Sequence, residues 1–167
     1  MKYFLLTVVI ICCFLIGFKL RGYFQNRKNF FEKLIVFCQK LKTKISFQNE
    51  KMNLIIEQEI YSCNNKDFQT FLNIFKEYLQ QEISKEELRK KLDKNLFFLK
   101  SEEIDTIYNL LLNLGGYYQD EELEQISNFE AWLNSVLNDI MSFNKKFLNV
   151  YFKLFIILGV MIFIIFI

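Results

Sequence analysis

The sequence predicts an all-α protein: a cytoplasmic antiparallel helical bundle over residues 24–146, set between a transmembrane anchor over 1–23 and a transmembrane helix over 147–167. Three observations predict it. Apolar runs without a single acidic residue stand at both ends of the chain. Between them, apolar residues recur at three- and four-residue steps almost throughout. The 167 residues include no Pro and five Gly, too few turn-formers for a fold of many short strands.

The first apolar run, residues 3–18, carries no charge and is interrupted only by Thr7 and Gly17. As a helix it rises about 24 Å, a little short of a hydrocarbon core of about 30 Å. Lys2, Lys19 and Arg21 can snorkel at its ends, and Leu20, Tyr23 and Phe24 extend its apolar side. No small-x-small pattern follows the run, so an uncleaved anchor fits better than a signal peptide, and Cys12 lies mid-run, away from any lipoprotein position. The second run, 147–167, rises about 31 Å. Its one charge, Lys153, can reach the interface marked by Lys145 and Lys146, with Tyr151 and Phe152 at interfacial depth. Residues 19–47 hold eight Lys/Arg against Glu32, so the positive-inside rule places the middle of the chain in the cytoplasm and both ends outside. The basic flanks Lys19, Arg21, Arg27, Lys28, Lys145, Lys146 and Lys153 would meet anionic headgroups of the inner leaflet.

Six helices follow from the pattern between the runs. Phe30, Phe31, Leu34, Phe37, Cys38, Leu41 and Ile45 form one apolar stripe on a long first helix. Residues 52–61 give a second, weaker one. Asp67 is the expected cap of a third, with Phe68, Phe71, Leu72, Phe75 and Leu79 on its inner face. Ser84 with Glu87 makes a capping-box pair for a fourth, carried by Leu88, Leu92 and Leu96. Ser101, with Glu102 and Glu103 behind it, is expected to open a fifth, striped by Ile104, Ile107, Tyr108, Leu111 and Leu114 and stopped by Gly115 and Gly116. Asp120 is expected to cap a sixth. Its seam of Leu123, Ile126, Leu133, Leu137, Ile140, Phe147 and Tyr151, widened by Phe129, Trp132 and Val136, meets no breaker, so one helix is expected from about Asp120 into the membrane.

Composition excludes much chemistry. There is no His, hence no His-based acid/base, nucleophile pair or metal ligand. Cys12, Cys13, Cys38 and Cys63 lack metal-site spacing and read as small apolar filler. The 20 Phe go with an Ile, Lys and Asn bias typical of A+T-rich codons and are no functional signal. No catalytic, cofactor-binding or metal site is expected, and the basic segment 19–47 reads as lipid-facing rather than nucleic-acid-binding. Charge is the informative feature. Residues 48–100 hold nine acids and nine bases, whereas 101–144 hold nine acids and no base. One reading is a solvated acidic face that keeps the domain off the lipid. The other is a docking face for a basic partner at Glu102, Glu103, Asp105, Asp120, Glu121, Glu122 and Glu124.

The layout resembles a known family. A short span ends in Gly17, Phe18 and Lys19 and leads into a basic amphipathic helix. An Ile-x-aromatic step follows at Ile45, Ser46 and Phe47. A leucine-rich helix then ends at Leu114 and Gly115, an acid (Asp120) opens the next, and a final span with basic flank Lys146 carries Gly159. Together these look like stage III sporulation protein AB, over essentially the whole chain. The pattern departs from the family at Lys44, where Glu is usual, and at Phe47, where Tyr is. The resemblance implies a cytoplasmic part similar to the type II secretion F domain. It also implies a non-enzymatic platform in the channel apparatus linking mother cell and forespore, on the mother-cell side of the outer forespore membrane. Its implied partners are the ATPase stage III sporulation protein AA, other stage III channel proteins and further copies of the chain. The competing reading is a generic two-span scaffold, or an inner-membrane platform of type II secretion or pilus type.

Overall fold

The fold comes from a computed structural model that describes residues 2–48, 52–114 and 119–143, with Val150, Lys153, Leu154, Ile157 and Met161 beyond them. Among these residues the chain is all helical, without strands. Its helices are α1 (Lys2–Gln48), α2 (Met52–Ser62), α3 (Lys66–Leu79), α4 (Lys85–Asn95), α5 (Ser101–Asn113) and α6 (Gln119–Phe143). The chain divides into two compact units, Asn29–Val136 and a second made of Met1–Lys28 with Leu137–Ile167.

The unit Asn29–Val136 is organised by α1. Every residue of the expected stripe, from Phe30 to Ile45, is buried. Phe30 is the hub. Its ring meets Phe68 at 5.8 Å and Phe71 at 5.6 Å, both on α3, and Phe98 at 5.6 Å in the turn before α5, each edge-on. Edge-to-face pairs add roughly 0.5–1.5 kcal/mol each beyond the apolar area they bury. Phe37 extends the cluster to Phe68 at 6.0 Å. On the other flank, Phe31 meets Trp132 of α6, which stacks on Phe129 at 5.3 Å. Trp132 is therefore a packing residue. Phe31 with Trp132, Gln39 with Glu130 and Lys42 with Ser127 pair rising numbers on α1 with falling numbers on α6, so these helices run antiparallel here. The neighbours α2 to α5 follow in chain order, each packed on the next.

The caps explain where the helices begin. Asn65, not Asp67, caps α3: its side chain accepts the Phe68 N–H at 3.0 Å. That leaves Asp67 in the first turn, where its charge meets the positive helix end. The Ser84–Glu87 box forms as expected, with Ser84 N–H donating to Glu87 Oε2 at 3.0 Å and Glu87 N–H to Ser84 Oγ at 3.2 Å. The fifth helix is capped one residue earlier than expected. Lys100 is its N-cap and Ser101 its first helical residue, because Glu103 reaches back to accept the Lys100 N–H at 2.9 Å. The Gly115–Gly116 stop lies outside the described residues, as does the Asp120 side chain. α3 ends with Gln81 at φ 60°, while Gln81 N–H donates to Tyr78 O and Glu82 N–H to Glu77 O. This is a Schellman-type end with a glutamine where glycine is usual.

In the second unit, Phe24 and Phe143 lie ring to ring at 5.5 Å. Leu15, Phe18, Val150, Leu154, Ile157 and Met161, the apolar side chains described in the two end runs, are all exposed. Among the described residues no helix is long and apolar enough to cross a membrane. Most side chains of the runs 3–18 and 147–167 fall outside that set.

Two stability outcomes follow. Phe30→Ala lowers the unfolding free energy by about 3–5 kcal/mol, the range for a buried Phe, enough to lose a domain of ordinary stability. Gln81→Gly raises it by about 0.5–1 kcal/mol by relieving the left-handed backbone. Chemical unfolding of the full-length protein in detergent, followed by circular dichroism, reads both.

Candidate docking face and basic flank

The acids of 101–144 do not form one surface. Glu103 is 5% exposed and is taken up by the α5 cap. Asp105 is held by Arg89 of α4, whose Nη1 stands 2.6 Å from Asp105 Oδ1. The same guanidinium reaches Asp93 through Nε at 3.2 Å and lies over the Tyr108 ring at 5.9 Å. Arg89 thereby ties α4 to α5. Glu102 remains exposed at the start of α5, next to the turn whose Phe98 packs on Phe30.

At the start of α6, Glu121 and Glu124 are exposed and Glu122 is half-buried; Asp120 belongs to the same first turn. This turn precedes Ser127, whose Oγ accepts from Lys42 at 3.4 Å. Along α1, Phe30 and Lys42 are separated by about 18 Å at the α-helical rise. The acids thus divide into Glu102 with Asp105 towards the Phe30 end, and the α6 group towards the Lys42 end.

Glu130, a further acid of that block, faces inward. It accepts from Gln39 at 2.9 Å and from Lys42 at 3.1 Å, and these bonds, the Gln39 one first, hold its carboxyl below the ordinary range. Its partners lie 88 and 91 residues away in sequence, beyond the reach of any helical periodicity. The same clamp sits beside Cys38. Burial, and next the Glu130 charge, push its thiol up to about 12, so the thiolate that nucleophilic or metal chemistry requires is absent near neutral pH.

The basic stretch of α1 also divides. Lys40 pairs with Glu59 of α2 at 2.7 Å, Lys42 with Glu130, and Lys44 donates to Gln58. These lysines join helices within the bundle. Further cross-links tie Lys76 to Glu57 at 2.7 Å, which raises the lysine above its usual value, and Lys91 to Glu77 at 2.5 Å. In the other unit, Lys19, Arg21 and Lys153 are exposed, and Arg27 and Lys28 are half-buried. Lys145 and Lys146 lie outside the described residues. No group of His, Cys, Asp and Glu able to hold a metal ion occurs among the described residues.

The stage III sporulation protein AB family matches the chain over residues 2–167, and the chain belongs to that family. Neither a curated protein nor a solved structure matches it. Membership gives it a role in stage III of sporulation, among membrane-associated and generally non-catalytic proteins, in association with other stage III sporulation proteins.

The Glu130 clamp sets a pH dependence. Its folded carboxyl is depressed, so its contribution is complete above the unfolded value of about 4.3 and is lost as pH falls through the folded one. Glu130→Gln therefore costs about 0.5–1 kcal/mol at neutral pH and flattens the acid limb of the stability curve. Unfolding midpoints of both forms between pH 7 and pH 3 measure this, and the two curves converge at the acid end.

Proposed function

We propose that the chain is a non-enzymatic membrane platform of the secretion-like channel apparatus between mother cell and forespore, and that it docks a cytoplasmic ATPase on the α6 end of its bundle. The observation that carries the reading is the family match across residues 2–167, joined to two exposed acids, Glu121 and Glu124, at the start of α6. The apolar runs 3–18 and 147–167 supply two membrane spans, and the basic flanks hold the bundle on the cytoplasmic side, facing the mother cell. The exposed state of every apolar side chain described in those runs suits a lipid environment.

The docking partner implied by the resemblance is stage III sporulation protein AA. Of the seven acids first considered, Glu121, Glu122 and Glu124, with Asp120, now carry the proposal. Glu103 has a structural task, and Asp105 has its own guanidinium. Glu121 and Glu124, exposed at the start of α6, are available to a basic surface and lie well along α1 from the Phe30 end. α6 is helical from Gln119 to Phe143, and Val150, Lys153, Leu154, Ile157 and Met161 are helical again. The segment from Asp120 to Ile167 is the proposed coupling element, through which conformational work of the ATPase reaches other channel components and further copies of this chain.

Glu121→Lys combined with Glu124→Lys should weaken ATPase binding by about tenfold or more, in line with about 1.4 kcal/mol or more lost from reversed interface charges. Glu102→Lys should leave it within about twofold, since interface energy concentrates in few residues. Titration of the purified full-length protein in detergent with the ATPase reads both, and unchanged unfolding midpoints certify the folds. Equal binding by wild type and the double variant would remove the α6 assignment.

A further inference from the structure

The turn joining α4 to α5 exposes a phenylalanine that the bundle holds rigidly outward. Phe97 is 74% exposed, although Leu96, Phe98 and Leu99 around it are buried. Phe98 is wedged on Phe30 at 5.6 Å, and Leu99 N–H donates to Leu96 O at 2.9 Å. The turn is therefore fixed, and Phe97 stands on it at 81° to the Phe98 ring. An aromatic kept in water on a rigid support is a cost unless something covers it.

Most of the exposed charges close to Phe97 in sequence are basic. Lys90 and Lys94, four residues apart, share one face of α4; Phe97 follows in the turn beyond the helix, and Lys100 stands at the turn's other end. All three lysines are exposed. The other cations of α4's last two turns are engaged, Arg89 with Asp93 and Asp105 and Lys91 with Glu77, so Asp93 does not offset the stripe. Asp93, exposed but tied to Arg89, and Glu102 are the exposed acids nearest to Phe97 in sequence. An aromatic tip ringed by flexible cations matches the headgroup region of an anionic bilayer, where a ring sits at the acyl boundary and ammonium groups meet phosphates.

We infer that the α4–α5 turn is a third membrane contact, in which Phe97 enters the interface of an anionic leaflet while Lys90, Lys94 and Lys100 bind headgroup phosphates. This rests on the reading that the chain is anchored in a bilayer.

The test uses the full-length chain with Phe97→Trp as a reporter in a Trp132→Phe background, reconstituted in phosphatidylglycerol nanodiscs whose acyl chains are brominated near the headgroup. The expected result is quenching of the Phe97→Trp emission, but not of Leu54→Trp, an exposed control at the start of α2. Removing charge with Lys94→Gln and Lys100→Gln should lower the ratio of inserted to free turn by about fivefold per lysine. Hydrogen exchange of the wild-type chain over residues 95–100, slower in anionic than in phosphatidylcholine nanodiscs, gives the same answer without substitutions. Emission that stays unquenched in protein-loaded discs overturns the inference and leaves the anchoring intact. Protection of the turn only when the ATPase is added assigns it to a protein and overturns the inference equally. A chain that fails to enter the discs overturns the anchoring and, with it, this contact.

Discussion

The bundle depends on the burial of one side of one helix. Phe30 sits where α1, α3 and the α4–α5 turn meet, and its contacts are made by residues up to 68 positions apart in sequence, from Phe30 to Phe98. Phe31 does the same for α6 through Trp132. A small domain has little apolar area to bury, so bulky aromatics packed edge to face are an effective way to supply it. The abundance of Phe reflects base composition, and the fold puts it to use: Phe30, Phe31, Phe68, Phe71, Phe75 and Phe98 are all fully buried.

Around this core, charge does two jobs that composition alone confuses. Part of it joins helices. Lys40, Lys42, Lys76, Arg89 and Lys91 each meet an acid on another helix, at distances of 2.5 to 3.1 Å. Such half-exposed pairs contribute little individually, but they select which helix faces break the surface. The remainder defines the outward surfaces. Acids gather at the start of α6, and cations line the exit of α4 and the stretch of α1 up to Lys28. The proposed platform, held at a membrane and bound by a soluble partner, would use this separation, because a single mixed surface would bind neither selectively.

Much of this was legible in the sequence. The stripes of α1 and α4 named buried residues, and so did that of α5 except at the half-buried Tyr108, since a helix repeats every 3.6 residues and local spacing carries that signal. The Ser84–Glu87 box was legible for the same reason: both partners lie within one turn. The errors lie where a local pattern had two solutions. Asn65 and Asp67 both suit a helix start, and only the geometry selects Asn65. Ser101 looks like a cap, yet Glu103 sets the start at Lys100. The docking set shrank because sequence spacing does not reveal which acids fold against Arg89 or a backbone N–H. Phe97 was invisible for a related reason, as adjacent phenylalanines give no sign of which one the turn buries.

The central claim is that the bundle is suspended from two spans on the cytoplasmic side. Tyr61, 90% exposed at the end of α2, is a suitable reporter position. A full-length chain with Tyr61→Cys as its one cysteine, the four natural ones replaced by Ala, is treated with a membrane-impermeant maleimide in intact cells and in inverted vesicles. The account predicts labelling in inverted vesicles only, with the protein retained in the membrane after carbonate extraction. Labelling in intact cells, or release of the chain by carbonate, would contradict it.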